Sequence, residues 1–177
     1  MTTYPATHCP YCGTELGSRV VDGRDRQHCE RCERVVWQNP VPCAGVAVVD
    51  PERGVLLAQR GIEPGVGEWT IPGGHMEVEE TAEIAGTREL EEETDLAVDP
   101  DAVELLDVFN AKPFDGKHVV SIGYVTHADD AIGTPAAGPE VQAVGWFTPS
   151  EFAASDRVFH EPHGQRFERA WTHVAED

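Results

Sequence analysis

Long apolar runs are missing from this chain: nowhere in its 177 residues do 18 apolar side chains follow one another, so no membrane-spanning helix is expected. Met1-Thr2-Thr3-Tyr4-Pro5 is followed by no apolar stretch, so no secretory signal is expected either, and a cytoplasmic location follows. Lysine is nearly absent, with Lys112 and Lys117 alone, and all basic residues number 13 against 32 acidic ones, for a net charge of −19. Such a surface repels nucleic acid and anionic membranes. With 40% apolar residues the chain still has the composition of a globular protein. Its length allows one core and a small satellite module. An excess of carboxylates also suits a protein kept solvated in a high-salt cytoplasm; the other reading is an ordinary acidic enzyme.

The charge is uneven. Residues 1–40 balance five arginines against five acids, so the whole −19 belongs to residues 41–177. The neutral segment also holds four of the five cysteines, as Cys9-Pro10-Tyr11-Cys12 and Cys29-Glu30-Arg31-Cys32. A C-x2-C turn aims two thiolates at one ion, and two such knuckles close a tetrahedral Zn²⁺ site. Gly13 supplies the tight turn after the first pair. In a cytosolic protein metal is favoured over disulfides. A segment this short builds no core of its own, so Zn²⁺ supplies its folding free energy. His8 and His28 each precede a cysteine and are expected to be exposed rather than ligands. A zinc ribbon over 1–38, a stiff linker at Gln38-Asn39-Pro40-Val41-Pro42 and a larger domain over 39–177 are expected. Zero net charge beside an acidic domain points the ribbon toward docking or homodimer formation rather than nucleic-acid binding. Cys43 is left over and is expected to pack in the first strand of the larger domain.

In that domain Cys43–Asp50 and Val55–Arg60 are apolar, strand-like runs joined by Pro51-Glu52-Arg53-Gly54, a hairpin pattern. Trp69-Thr70-Ile71 reads as a short strand halted at Pro72-Gly73-Gly74. Thr81 caps a helix to about Thr94, with Glu83 in its first turn. Strands are expected at Leu105–Phe109, Val119–His127 and Val144–Phe147, and helices from Pro149 and over Gly164–Val174. The fold class is α/β (α+β), a mixed sheet flanked by helices.

The chemistry gathers in Gly74–Leu96, GHMEVEETAEIAGTRELEEETDL. On a helix Glu89, Glu92 and Glu93 stand at i, i+3 and i+4, within one face. Residues 73–96 hold nine carboxylates and one arginine, Arg88. Like charges at that spacing destabilise a bare helix, so a cation should compensate; hard divalent ions such as Mg²⁺ or Mn²⁺ take oxygen ligands of this kind.

This segment resembles the signature of the Nudix hydrolase family: Gly, five residues, Glu, seven residues, Arg-Glu-aliphatic-any-Glu-Glu-any-Gly-aliphatic. Gly74, Glu80, Arg88, Glu89, Leu90, Glu92, Glu93 and Leu96 match in register. One position departs: Asp95 stands where the family has glycine. A left-handed helix cap is the expected role there, and Asp is tolerated in it at about 1 kcal/mol. The resemblance implies a Nudix α/β/α sandwich. It implies Glu89, Glu92 and Glu93 as ligands of Mg²⁺ or Mn²⁺, with the Gly73 carbonyl beside them. Glu80 belongs to the same shell and Arg88 holds a glutamate in place. Glu93 or Glu140 is the general base. Ribbon, linker and signature together resemble zinc-ribbon Nudix hydrolases acting on ADP-ribose and FAD. The Ser-Gln-Pro-Trp stretch of NADH pyrophosphatases does not follow Leu96; Pro113 lies 17 residues past it, close to the spacing of about 16 that the resemblance implies for an ADP-ribose-type marker proline. A small nucleotide is thus the implied substrate, with an RNA-end (cap) pyrophosphohydrolase or a non-catalytic nucleotide sensor as alternatives. Trp69 and Trp146 read as core. Phe109, Phe114 and Tyr124 are open between core and nucleobase pocket, and Arg60 between surface and phosphate contact.

Overall fold

The computed structural model describes residues 3–114 and 116–175, and the chain divides into two units, 1–41 with 112–119 and 42–111 with 120–177.

In the first unit, β1 (Gly17–Val21), β2 (Arg24–Cys29) and β3 (Arg34–Val36) form an antiparallel sheet in that order. Asp22 and Gly23 turn β1 into β2 with φ of 52° and 74°, the left-handed pair that a two-residue hairpin requires and Asp-Gly supplies. Ahead of the sheet, the Cys9–Thr14 turn closes through Cys9 N–H to Thr14 O (2.8 Å) and Gly13 N–H to Cys9 O (2.9 Å), with Gly13 at φ 71°. The strands escape a reading by pattern because they are short and their valines stand in adjacent pairs, Val20-Val21 and Val35-Val36, without alternation. Two expectations need correction. His28 is buried at 3% exposure, because it sits inside the sheet opposite Val35 and its Nδ1 lies 3.0 Å from Glu30. Val41 and Pro42 are not linker: they open β4 (Val41–Asp50), and proline is tolerated at a strand's start, where a missing donor costs least.

In the second unit the sheet runs β12-β5-β4-β10-β9, with β6 against β5 and β7 against β4. The strands are β5 (Gly54–Arg60), β6 (Trp69–Thr70), β7 (Gly73–His75), β9 (Glu104–Phe114), β10 (Lys117–His127) and β12 (Val141–Phe147). A small ladder pairs β8 (Leu96–Val98) with β11 (Ala131–Gly133). Period-2 alternation sorts β4 and β5 onto two cores. Ala47, Val49, Val55 and Leu57 face Phe152 of α2 (Pro149–Ala153) and Phe167, Ala170 and Val174 of α3 (His163–Ala175). Val46, Val48 and Leu56 face Leu90 of α1 (Ala82–Thr94). Helices therefore cover both faces of one sheet.

The expected hairpin is β4–β5, and α1 starts at its Thr81 cap, whose side chain accepts from Ile84 N–H. Asp95 takes the left-handed position at φ 59°, its N–H closing on Glu91 O at 2.8 Å. This helix is held less by bulk than by closeness. Its buried residues are Ala85, Gly86, Thr87, Leu90 and Thr94, and a Cβ on Gly86 would stand 3.2 Å from Val46. Leu90, fully buried, contributes roughly 2–3 kcal/mol. Cys43 is half-buried in β4 rather than packed in the core. β7 was not anticipated, because glycines and a histidine carry no strand signal.

Candidate active site on the carboxylate-rich helix

β7 lies against β4 with Gly45 opposite Gly73 and Ala44 opposite Gly74. That closeness requires glycine: a Cβ on Gly73 would come within 2.5 Å of Ala44 O and Gly45 Cα. The strand is thereby pressed where the α1 carboxylates reach it. Gly73 N–H donates to Glu93 Oε2 at 3.0 Å. Gly74 leaves room for the Glu89 carboxyl, whose Cδ a Cβ there would meet at 2.4 Å.

Arg88 organises the remaining acids. Its Nε donates to Glu80 Oε1 (2.7 Å), Nη2 to Glu80 Oε2 (3.1 Å) and His75 O (3.0 Å), and Nη1 to Glu89 Oε1 (2.9 Å) and Glu92 Oε1 (3.4 Å). The planar fork suits several oxygens at once, which a lysine would not. Glu80 therefore engages the guanidinium with both oxygens and also accepts from Glu77 N–H at 2.9 Å. The Arg88 hydrogen bond holds its carboxyl below the usual range.

One guanidinium does not neutralise this cluster. Burial raises the Glu89 carboxyl, against the pull of Arg88, and the charges of Glu92 and Glu140 raise it further. Burial likewise pushes Glu93 up to about 7; Gly73 N–H and Arg60 oppose the rise, Glu89 and Glu140 add to it. Glu92 stands out in solvent, its side chain 60% exposed. Carboxylates held together with too little positive charge fit a site for hard divalent cations, which add charge and take oxygen ligands. Among the described residues only the four cysteines gather donor atoms within 4.8 Å of one another.

Glu140 is exposed, on a loop fastened to the end of α1: Ala136 N–H donates to Thr94 O (2.9 Å) and Gly138 N–H to Glu93 O (3.0 Å). Its carbonyl accepts from Gly61 N–H at 2.8 Å. The loop thus brings a fifth acid to bear on Glu89 and Glu93. Arg60 is half-buried, with Nε donating to Pro64 O at 2.8 Å.

The aromatic candidates go elsewhere. Tyr124 is 5% exposed in the core under α1, its hydroxyl donating to Glu83 Oε1 at 2.8 Å, so it lines no open pocket. Phe109 lies under the Arg166 guanidinium at 4.3 Å. Trp69 is core, and Trp146 is half-buried beneath Arg53. The side chains of Pro113 and Phe114 lie outside the described residues. A cleft of about 710 Å³, lined by Gln59, Glu68, Trp69 and Arg157 among others, opens on the α2–α3 side.

Two groups were not anticipated. His163 Nδ1 accepts from Ile71 N–H at 3.2 Å and lies 2.9 Å from Thr70 Oγ1, tying α3 to the strand that precedes Gly73. Burial, and then the charges of Arg166, His160 and Arg60, lower this imidazole to about 3. Arg166, 1% exposed, donates from Nε (2.9 Å) and Nη2 (2.7 Å) to Asp107 Oδ1 and from Nη1 to Ser121 Oγ (3.1 Å). Both sets join residues 45 or more positions apart, which no local pattern betrays.

In the first unit Cys9 and Cys32 Sγ are 4.0 Å apart, Cys12 and Cys29 3.6 Å. The Thr14 hydroxyl, helped by the Thr14 backbone, lowers the Cys12 thiol to about 6, while the hydrogen bond to Cys12 and burial push Cys32 up to about 12. Cys12 is thus the readier of the two to become the thiolate a metal needs. His8 is exposed and neither it nor His28 joins the four.

Residues 39–168 match the NUDIX domain. A MutT-like protein of Streptomyces ambofaciens is 36% identical over 111 residues, 63% of this chain and 65% of its own length. An ADP-ribose pyrophosphatase of Methanocaldococcus jannaschii is 36% identical over 87 residues, 49% of this chain and 48% of its own. The chain thus spans less than two thirds of either curated relative. The crystal structure of a NUDIX hydrolase from Nitrosomonas europaea superposes with a TM-score of 0.68 at 26% identity, covering 97% of this chain and 92% of that one.

Proposed function

The chain belongs to the NUDIX family, and on that footing we propose that it hydrolyses the pyrophosphate bond of a nucleoside diphosphate linked to a second moiety. The observation that carries the reading is the under-neutralised cluster of Glu80, Glu89, Glu92 and Glu93 around one guanidinium, beside a glycine backbone. Glu89, Glu92, Glu93 and the Gly73 carbonyl would hold Mg²⁺ or Mn²⁺. Such ions, when bound, neutralise the pyrophosphate and make a bound water acidic.

The chain's own residues do the rest. Arg88 and Glu80 act on Glu89 and Glu92 by position: the fork fixes where the two carboxyls point. Gly73 N–H fixes Glu93. We take Glu93, half-buried among the carboxylates and fixed by Gly73 N–H, as the general base. Glu140, on the loop fastened to the same helix, is the competing candidate. The four cysteines hold Zn²⁺ with a structural role, and we place the boundary between a zinc ribbon and the hydrolase domain at residues 38 and 39.

ADP-ribose or FAD is the preferred substrate, NADH a lesser one; the likeness to the ADP-ribose pyrophosphatase of Methanocaldococcus jannaschii supports ADP-ribose. The test is release of AMP or phosphate, with Mg²⁺ or Mn²⁺, from ADP-ribose, FAD, NADH, dinucleoside polyphosphates, nucleoside triphosphates and capped RNA. Turnover of ADP-ribose or FAD above the others is expected. Binding without turnover across the whole set would refute hydrolysis, and preference for capped RNA would move the substrate class.

A further inference from the structure

Neutral overall, residues 1–40 offer by composition no reason to bind a polyanion. Their placement does. In the β1–β2 hairpin Arg19 lies opposite Arg26, Val21 opposite Arg24 and Gly17 opposite His28. Opposed residues share a face, as do alternate residues along a strand. Arg19, Arg24 and Arg26 therefore project from one face. The strand acid Asp25 belongs to the other face, with Ser18, 3.5 Å from its Oδ1, and with Cys29, while Glu30, just past the strand, lies 3.0 Å from His28 at one end of the arginine face.

Like charges set directly opposite destabilise a ladder unless something offsets them. Among the described residues none of the three arginines enters an ion pair. Arg19 and Arg24 are exposed. Arg26 Nε is buried and has no hydrogen-bond partner. The Arg26 guanidinium lies 5.2 Å from the ring centre of Trp37, an indole 41% exposed.

We infer that this face binds single-stranded nucleic acid. Phosphates supply the absent countercharge, and Arg24 and Arg26, two residues apart on β2, are spaced by about 6.7 Å along the strand. Trp37 offers beside them the aromatic surface on which a base stacks. Carboxylates of a protein partner would satisfy the charge and leave the indole unused. The interaction belongs to the first unit and does not rest on the hydrolytic reading.

The test uses the full-length, zinc-loaded protein and a fluorescein-labelled 15-mer oligouridylate, read by anisotropy. Three phosphate contacts give a log–log salt slope near −2, so binding should weaken about 20-fold between roughly 50 and 200 mM KCl. Arg19→Glu with Arg24→Glu should weaken it at least about 10-fold, and Trp37→Ala about 5-fold or more. Nucleotide hydrolysis should be unchanged in both variants. Equal zinc content shows that they fold; should the charge reversals lower it, Arg19→Gln with Arg24→Gln replaces them. Absence of binding at about 50 mM KCl, or binding indifferent to the arginine changes, overturns the inference. So does a wild-type dimer by light scattering that the arginine changes dissolve while no oligonucleotide binds, which would assign the face to a second copy.

Discussion

Replacing Gly74 by alanine should damage the chemistry while sparing the fold. Gly74 has no left-handed φ, so its backbone accepts a side chain, and removing a glycine from a strand gains a few tenths of a kcal/mol. The new Cβ would stand 2.4 Å from Glu89 Cδ and 2.5 and 2.6 Å from its oxygens, where ordinary contact begins at 3.4 Å. The carboxyl must therefore retreat by about 1 Å, and it loses its present aim at Arg88 Nη1. A displacement of that size in a metal-holding carboxylate costs about 10²-fold in kcat, or roughly 2.7 kcal/mol in the barrier. The assay is kcat on the best nucleotide substrate at saturating Mg²⁺, with Tm measured alongside. The neighbouring Gly73→Ala is the contrast: its Cβ would meet backbone at 2.5 Å, so it should lose Tm as well as activity. If Gly74→Ala keeps kcat within about 3-fold of wild type, the assigned role of Glu89 is wrong.

Glu93→Gln and Glu140→Gln separate the two candidate bases: the first should lower kcat at least about 10²-fold and the second less than about 10-fold, and the reverse order moves the base to Glu140. Arg88→Lys keeps a charge but loses the fork across Glu80, Glu89 and Glu92; kcat should fall about 10²-fold, and retention of activity would mean charge alone suffices. Elemental analysis should find zinc near one per chain, and less than about half an equivalent refutes the four-cysteine site. The His163 imidazole is lowered to about 3 in the fold while the unfolded chain protonates near 6.5. The unfolded state therefore binds the extra proton, and stability falls as pH drops through 6.5 toward 3. Between pH 7.5 and 5 this costs wild type about 1–2 kcal/mol relative to His163→Asn. The raised Glu93 carboxyl works the other way over the same window but in both proteins, so the difference between their urea midpoints is the quantity to follow.

What the amino-acid string revealed, and what it hid, follows from range. α1 was readable to within a residue because Thr81, the acidic first turn and Asp95 are local signals, each acting within one helical turn. The β4–β5 hairpin was readable because its apolar runs are long and its turn is rich in breakers. β7 was hidden: it is strand only because Gly45 and Gly73 let two backbones meet, and glycine carries no propensity for it. β1–β3 were hidden because their valines come in adjacent pairs, Val20-Val21 and Val35-Val36, and give no period-2 alternation to read. At the site, the placing of Glu89, Glu92 and Glu93 on one helical face followed from spacing, while Glu80 and Arg88 were expected from the resemblance to the family signature. That both Glu80 oxygens face Arg88 was not legible, since Glu80 stands just ahead of the Thr81 cap and Arg88 two turns inside the helix. The Thr70–His163 and Arg166–Asp107 links join chain segments 93 and 59 residues apart, and nothing near either residue announces its partner.

The strap from Ala136 to Glu140 has a bearing on how such an enzyme changes over generations. Its amides finish the carbonyls that α1 leaves open at its end, and Gly138 packs so close that a Cβ would strike Glu92 O at 1.9 Å. The course of the strap is thereby dictated by the helix, whatever side chains its positions other than Gly138 carry. Ala136 and Ala137 are exposed along it. Mutation there can alter what approaches the carboxylates without disturbing them, so substrate preference and catalytic power are free to drift separately.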